Sequence, residues 1–276
     1  MAGGLTDGRI EAAGAMKRYE RLNAILELLA EDAKLDVDTA APRLGVSEAT
    51  IRRDLEHLAE QQLLTRTHGG AVANSTSYDL PLRFKSGRQA REKQRIGHAA
   101  AALVPAGGVV GMNGGTTNTE AARALGTRAD LTGHDDGVAL TVVTNALNIA
   151  YELAIRPSIK TVVTGGVARA SSYELTGPLA TGILDRLQLD VALIGVDAVD
   201  PEWGATAHHE GEAMINQLMA DRARTVVVVA DSTKLGKRAF ARIRPIEGVD
   251  VLVTDAEADP GLVERFTAAG VRVVTA

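Results

Sequence analysis

Two groups of residues in this 276-residue chain are of types and spacings that could do chemistry. The first is Asn113-Gly114-Gly115-Thr116-Thr117, which follows a β-branched run and opens a helical segment. Glycines there let a backbone approach a ligand closely, threonine hydroxyls donate, and free amides at a helix start favour an anion, so a phosphate would fit. Taken alone, the same residues make an ordinary turn. Asn145, Gly165-Gly166, Asp197 and Lys234 each follow another such run, and in an open α/β sheet ligands bind beyond the carboxyl ends of the strands. The expected division of labour gives the phosphate to the glycine-threonine turn and Lys234, and leaves Asn145 and Asp197 to read hydroxyls.

The second group lies in Val46 to Leu58. Ser47 is a good N-cap and Glu48 sits where a helix dipole favours an anion, so a helix should start at residue 48. Ile51, Leu55, Leu58 and Gln62 share one side and should pack inward. Ala49, Thr50, Arg52 and Arg53 lie on the outer half, where small residues permit close approach and guanidiniums can fork onto guanine or phosphate. A solvated arginine pair would have the same sequence, so the neighbouring elements must decide.

Upstream, Leu22, Ile25, Leu26 and Leu29 form a helical stripe, and Asp38 to Leu44 reads as a second short helix ended by Gly45. Pro42 favours Thr39 as its cap, because the proline then falls in the first turn where no donor is lost. Downstream, Leu63 to Thr67 and Ala71 to Ala73 flank Gly69-Gly70, a pair suited to a two-residue hairpin. That hairpin would be a small wing carrying Arg66 and His68. From Val109 onward, β-branched runs at 109–112, 140–144, 160–164, 190–194, 225–230, 251–254 and 271–274 alternate with helical segments, one of them at 119–125, as in a mostly parallel sheet flanked by helices.

Four domain-level stretches follow: a disordered extension over 1–15, a winged helix-turn-helix over 16–75, a linker over 76–90 and an α/β unit over 91–276. Six basic residues between Arg83 and Arg95 oppose Glu92 alone, and serve equally well as a solvated helix face or as phosphate contacts. The absence of cysteine excludes disulfides, thiolate catalysis and Cys-ligated zinc. No apolar run approaches the ~20 residues of a membrane span, and no signal peptide is evident, which points to the cytoplasm. Net charge is −5, so nucleic acid would have to be bound through local patches rather than bulk charge. Adjacent residues such as His208-His209-Glu210 do not converge on a metal without a third, spaced ligand, and no metal, cofactor or catalytic residue is assigned.

These motifs together resemble the DeoR family of transcriptional regulators. The N-terminal part of the resemblance is Arg21 with Ile25 to Leu29, Leu44-Gly-Val-Ser47, Thr50-Ile-Arg-Arg-Asp-Leu55 and Arg66-Thr-His-Gly-Gly-Ala71. The C-terminal part is Gly114 to Thr117, Thr144-Asn-Ala146, Gly165-Gly166, Glu174-Leu-Thr-Gly-Pro178, Gly195-Val-Asp197, Glu212 to Met219 and Asp231-Ser-Thr-Lys234. Ala40-Ala-Pro42 and Asn113 depart from the family's usual residues. The resemblance implies an α/β protein with a small N-terminal winged helix-turn-helix domain and a sensor domain similar in fold to ribose-5-phosphate isomerase. It further implies a repressor of a carbohydrate-catabolic operon, with operator DNA and a phosphorylated sugar as partners, acting as a homodimer or homotetramer. A phosphosugar isomerase is the alternative, with Asp197, Glu212 and Lys234 as its conceivable acid/base groups.

Overall fold

The computed structural model describes residues 17–32, 34–61, 63–73, 82, 89–131 and 137–276. The expected N-terminal extension, Gln62 and most of the linker lie outside the described residues. Two compact units divide between Leu80 and Pro81.

In the first unit, α1 (Arg18–Asp32), α2 (Val37–Leu44) and α3 (Glu48–Glu60) precede a hairpin of β2 (Leu64–Arg66) and β3 (Gly70–Ala73). A third strand, β1 (Lys34–Asp36), which the sequence reading lacked, pairs antiparallel with β3 in the register Leu35↔Ala71. Leu22, Ile25, Leu26, Leu29, Ile51, Leu55 and Leu58 are buried together with Leu35, Val37 and Ala71. The helical stripes therefore face the core that the strands close.

Two local expectations need correction. Helix α2 starts at Val37 with Asp36 as N-cap, not Thr39, so Pro42 lies inside the helix. Strand β1 runs straight into it, which fixes the start earlier than the proline alone would suggest. Thr39 instead sends its hydroxyl back to the Asp36 carbonyl at 2.9 Å. The wing turn comprises Thr67 to Gly69, and Gly70 belongs to β3. A Cβ on Gly70 would fall 1.9 Å from the Leu35 carbonyl oxygen, so this glycine serves the close passage of β1 rather than a two-residue turn.

In the second unit, seven parallel strands stand in the order β15-β14-β12-β9-β4-β5-β6. They are β4 (Val109–Met112), β5 (Leu140–Thr144), β6 (Ile159–Val163), β9 (Leu189–Gly195), β12 (Ala223–Val229), β14 (Val251–Thr254) and β15 (Arg272–Thr275). The seven expected runs are these strands, three with the expected bounds and four with ends shifted by one or two residues. Alternate side chains enter two cores, as the pleat requires. Val110, Met112, Val191 and Leu193 pack with α4 (Ala90–Ala102), α5 (Thr116–Thr127) and α6 (Leu147–Ala154). Ala192, Ile194, Val226 and Val228 pack with α7 (Pro178–Leu184), α8 (Glu210–Asp221) and α9 (Pro260–Ala268). Among the described residues, three helices thus cover each face.

The sequence reading also lacked the short strand pair β7 (Val167–Ala168) and β8 (Leu175–Thr176), and a three-stranded antiparallel sheet of β10 (Ala198–Asp200), β11 (Gly204–Ala207) and β13 (Ala241–Arg244). Helix α5 begins at Thr116, earlier than expected, which draws both threonines of the glycine-threonine turn into its first turn. Helices α4 and α5 cross closely at Gly97, whose absent Cβ would lie 2.7 Å from the Ala121 amide.

Candidate nucleic-acid interface and effector site

Ser47 caps α3, its Oγ accepting from the Thr50 amide at 3.3 Å. That cap opens the face on which Ala49, Arg52 and Arg53 are exposed. Arg52 pairs with Glu48 at 2.8 Å, one turn back, and Arg53 donates from Nε to the Ala49 carbonyl at 3.3 Å. Both guanidiniums are thereby held along the first two turns of the helix, which is the end that enters a groove. Arg66 behaves differently. It donates to the Gly70 carbonyl at 2.8 Å and stands 3.6 Å from Glu56, so it ties the wing hairpin to α3, while His68 is exposed at the hairpin tip.

Asp54 is the residue the sequence reading passed over. It sits between Arg53 and Leu55 yet is 3% exposed, and its carboxylate meets Arg21 Nε of α1 at 2.5 Å. Position on the helix gave a hint, since Asp54 lies three residues after Ile51 and so near the inward side.

In the second unit the expected effector residues separate into two layers. Asn113, at the end of β4, is buried; Oδ1 accepts the Gly195 amide at 2.7 Å and Nδ2 donates to the Gly195 carbonyl at 3.0 Å. It thus stitches β4 to β9. Asn145 donates to Glu174 Oε2 at 3.1 Å, and Asn216 reaches the same oxygen at 3.5 Å. Gly114 packs directly on Glu174, whose Cγ would stand 2.6 Å from an added Cβ. Glu174 is therefore the centre of a buried polar layer. Its carboxyl is pushed up to about 8, chiefly by burial and then by the nearby Glu212 carboxylate, with the Asn145, Gly114 and Asn216 hydrogen bonds acting in the opposite direction. Glu212 in turn pairs with Arg169 at 3.0 Å and accepts from Ser172 at 2.5 Å.

The upper layer is open. A cavity of about 200 Å³ lies over the start of α5, lined by Thr116, Thr119, Glu120 and Arg123 of that helix and by Lys93 of α4. Asn148 of α6 and Tyr173 complete its polar wall. Gly115, with φ of 106°, leads into α5, and no side chain caps that helix start. Of the expected effector residues, Thr116 alone lines this cavity. Asp197 accepts the His208 amide at 2.9 Å, and Lys234 ends a short 3-10 turn, Ser232–Lys234, after β12. Gly165 and Gly166 take positive φ at the end of β6. The neighbouring histidine of the considered metal cluster, His209, caps α8 through its ring by accepting the Gly211 amide at 3.1 Å.

Lys93, Arg123, Asn148 and Tyr173 were absent from the sequence reading as effector residues. Lys93 belonged to the basic run, where a solvated face explained the sequence equally well. Tyr173, with φ of 61°, has no local sequence signal.

Residues 21–77 match the pattern of a DeoR-like helix-turn-helix domain, and residues 88–256 that of a DeoR C terminal sensor domain. The chain is 35% identical over 256 residues to the HTH-type transcriptional regulator GlpR of Haloferax volcanii, covering 92% of this chain and 96% of that one. It is 29% identical over 252 residues to the glycerol-3-phosphate regulon repressor of Escherichia coli, with 91% and 96% covered. The HTH-type transcriptional repressor GlcR of Bacillus subtilis is 32% identical, with 87% and 89% covered. Among solved structures, ribose 5-phosphate isomerase A of Methanocaldococcus jannaschii aligns with 53% of this chain and 55% of its own at 20% identity and a TM-score of 0.40. No helix of the described residues is long and apolar enough to cross a membrane.

Proposed function

This chain belongs to the DeoR family, and from that premise we propose that α3 reads an operator while the second unit senses a phosphorylated sugar or polyol. The protein is a DNA-binding transcriptional regulator, a repressor of a carbohydrate operon like its relatives. What carries the reading at the DNA is the exposed first half of α3, where Arg52 and Arg53 are held along one capped helix start. A helix this short buries too little for specific affinity, so two copies on a two-fold or repeated site are proposed.

The effector proposal rests on the uncapped start of α5 beneath a polar cavity, and on a relative named for glycerol 3-phosphate. The isomerase alternative finds less support. Glu212 is engaged by Arg169 and Ser172, and Asp197 by the His208 amide, so both carboxylates hold the fold together.

Arg53→Ala is expected to weaken operator binding by on the order of 1–3 kcal/mol and to relax preference at one base pair. Arg52→Ala should act more evenly across sequences and flatten the salt dependence, as loss of a phosphate contact does. A gel-shift titration of the double variant that matched the parent would remove α3 from the interface.

A further inference from the structure

The anion of the effector needs a cation, and among the described residues the cavity lining offers Lys93 and Arg123. Lys93 is 6% exposed on α4, and burying an ammonium is costly without a negative partner. One partner is Asp231, also buried, with Nζ and Oδ2 3.9 Å apart. That separation is an ion pair without a direct hydrogen bond. Oδ1 of the same aspartate is occupied by the amide and hydroxyl of Thr233. Lys93, one turn before the close crossing of α4 and α5 at Gly97, lines the same cavity as Thr116, the first residue of α5. Thr116, Thr119, Glu120 and Arg123 follow at i, i+3, i+4 and i+7, one face of that helix, and all four line the cavity. Arg123 therefore stands two turns above the helix start, paired with Glu120 at 2.6 Å.

A second observation points to a ligand bearing hydroxyls as well as an anion. Asn148 spends its amide nitrogen on Thr119 Oγ1 at 2.8 Å, while its buried Oδ1 has no hydrogen-bond partner among the described residues. Buried acceptors are nearly always satisfied, and a ligand hydroxyl in the cavity would satisfy this one. A volume of about 200 Å³ also falls below the ~300–1,000 Å³ of sites for larger ligands. It suits a compact phosphorylated polyol better than a nucleotide.

Building on the sugar-phosphate reading above, we infer that Lys93 and Arg123, not Lys234, hold the effector's phosphate over the first turn of α5, and that the phosphate competes with Asp231 for Lys93. Binding then exchanges one partner of a buried lysine for another. Because Asp231 also organises the turn at Ser232–Lys234, the exchange reaches the β12 end of the sheet without direct contact.

The test is calorimetry on the full chain with inorganic phosphate and a panel of three- to six-carbon sugar and polyol phosphates, each against its unphosphorylated form. Arg123→Gln should weaken the best phosphorylated ligand about tenfold, as loss of one charge-assisted hydrogen bond does. Lys93→Met combined with Asp231→Asn removes both charges of the pair and should weaken binding about a hundredfold. Asp231→Asn alone should tighten binding several-fold, because the competitor is gone. Lys234→Ala should stay within about twofold of the parent. Parent-like binding by the Lys93/Asp231 pair variant, unchanged binding by Asp231→Asn, or transfer of the loss to Lys234→Ala would each overturn the assignment while leaving the sugar-phosphate reading standing. Failure of the parent to prefer any phosphorylated ligand would overturn both.

Discussion

Arg21→Met is expected to lower the stability of the N-terminal unit by roughly 3–5 kcal/mol and to take operator binding down with it, although Arg21 is on α1 and outside the proposed interface. The cause is Asp54. Its carboxylate lies on the buried side of α3, 4% exposed, with Arg21 Nε at 2.5 Å and the mostly exposed Arg18 at 3.8 Å. Removing Arg21 leaves a desolvated anion for which the exposed Arg18 compensates weakly, since such pairs contribute ~0–1 kcal/mol. Arg18→Ala should therefore be nearly neutral. The informative comparison is Arg21→Met combined with Asp54→Leu, because replacing both charges of a buried pair with apolar groups is often neutral. Calorimetric melting and gel shifts on the full chain should show collapse in the single variant and recovery of stability in the double. If Arg21→Met melted like the parent and bound operator equally well, the buried pair would not be what holds α3 against α1.

The second large effect is a loss of sensor stability at alkaline pH, relieved by Glu174→Gln. The Glu174 carboxyl is raised from 4.5 to about 8, so the folded state prefers it neutral. A group raised in this way contributes its stability fully below the unfolded value, and loses it as pH climbs through the folded one. The window is therefore pH 4.5 to about 8, and the total loss is on the order of a few kcal/mol, since each unit is about 1.4 kcal/mol. Glu212 is the charged group facing it directly, itself paired with Arg169, while Asn113, Asn145 and Asn216 present neutral amides. In Glu174→Gln the polar layer has no carboxyl at position 174 to ionise. Melting temperatures of parent and variant should run together in acid and diverge toward pH 9, the parent falling further. Parallel curves across that range would show that ionising Glu174 costs the fold nothing.

The parts of this protein that depend on neighbours in sequence were legible without coordinates. Ser47 starts α3 because its hydroxyl reaches an amide three residues away. The β4, β5 and β14 runs are strands with the bounds read from their β-branched residues, and Ile51, Leu55 and Leu58 face inward as their spacing requires. The family motifs, too, are strings of adjacent residues, which is why the regulator reading needed no fold to support it.

What failed were the choices made between residues far apart in the chain. Helix position only hints that Asp54 turns inward while Arg52 and Arg53 stay outside, and a charged residue is buried there because α1 brings Arg21 across a separation of 33 residues. Thr39 looked the better cap until β1 ran into α2, and Gly70 looked like a turn until β1 passed 1.9 Å from where its Cβ would be. The glycine-threonine turn was read correctly as a place where strand, loop and helix start meet, but the tertiary structure divides the residues gathered around it. Asn113, Gly114 and Asn145 are consumed by the layer around Glu174, and Thr116 alone of the expected set opens into the cavity. Sequence order ranks Lys234 with that site because it follows a strand. Packing places Lys93, rather than Lys234, in the lining of the cavity that Thr116 opens into, which no spacing along the chain shows.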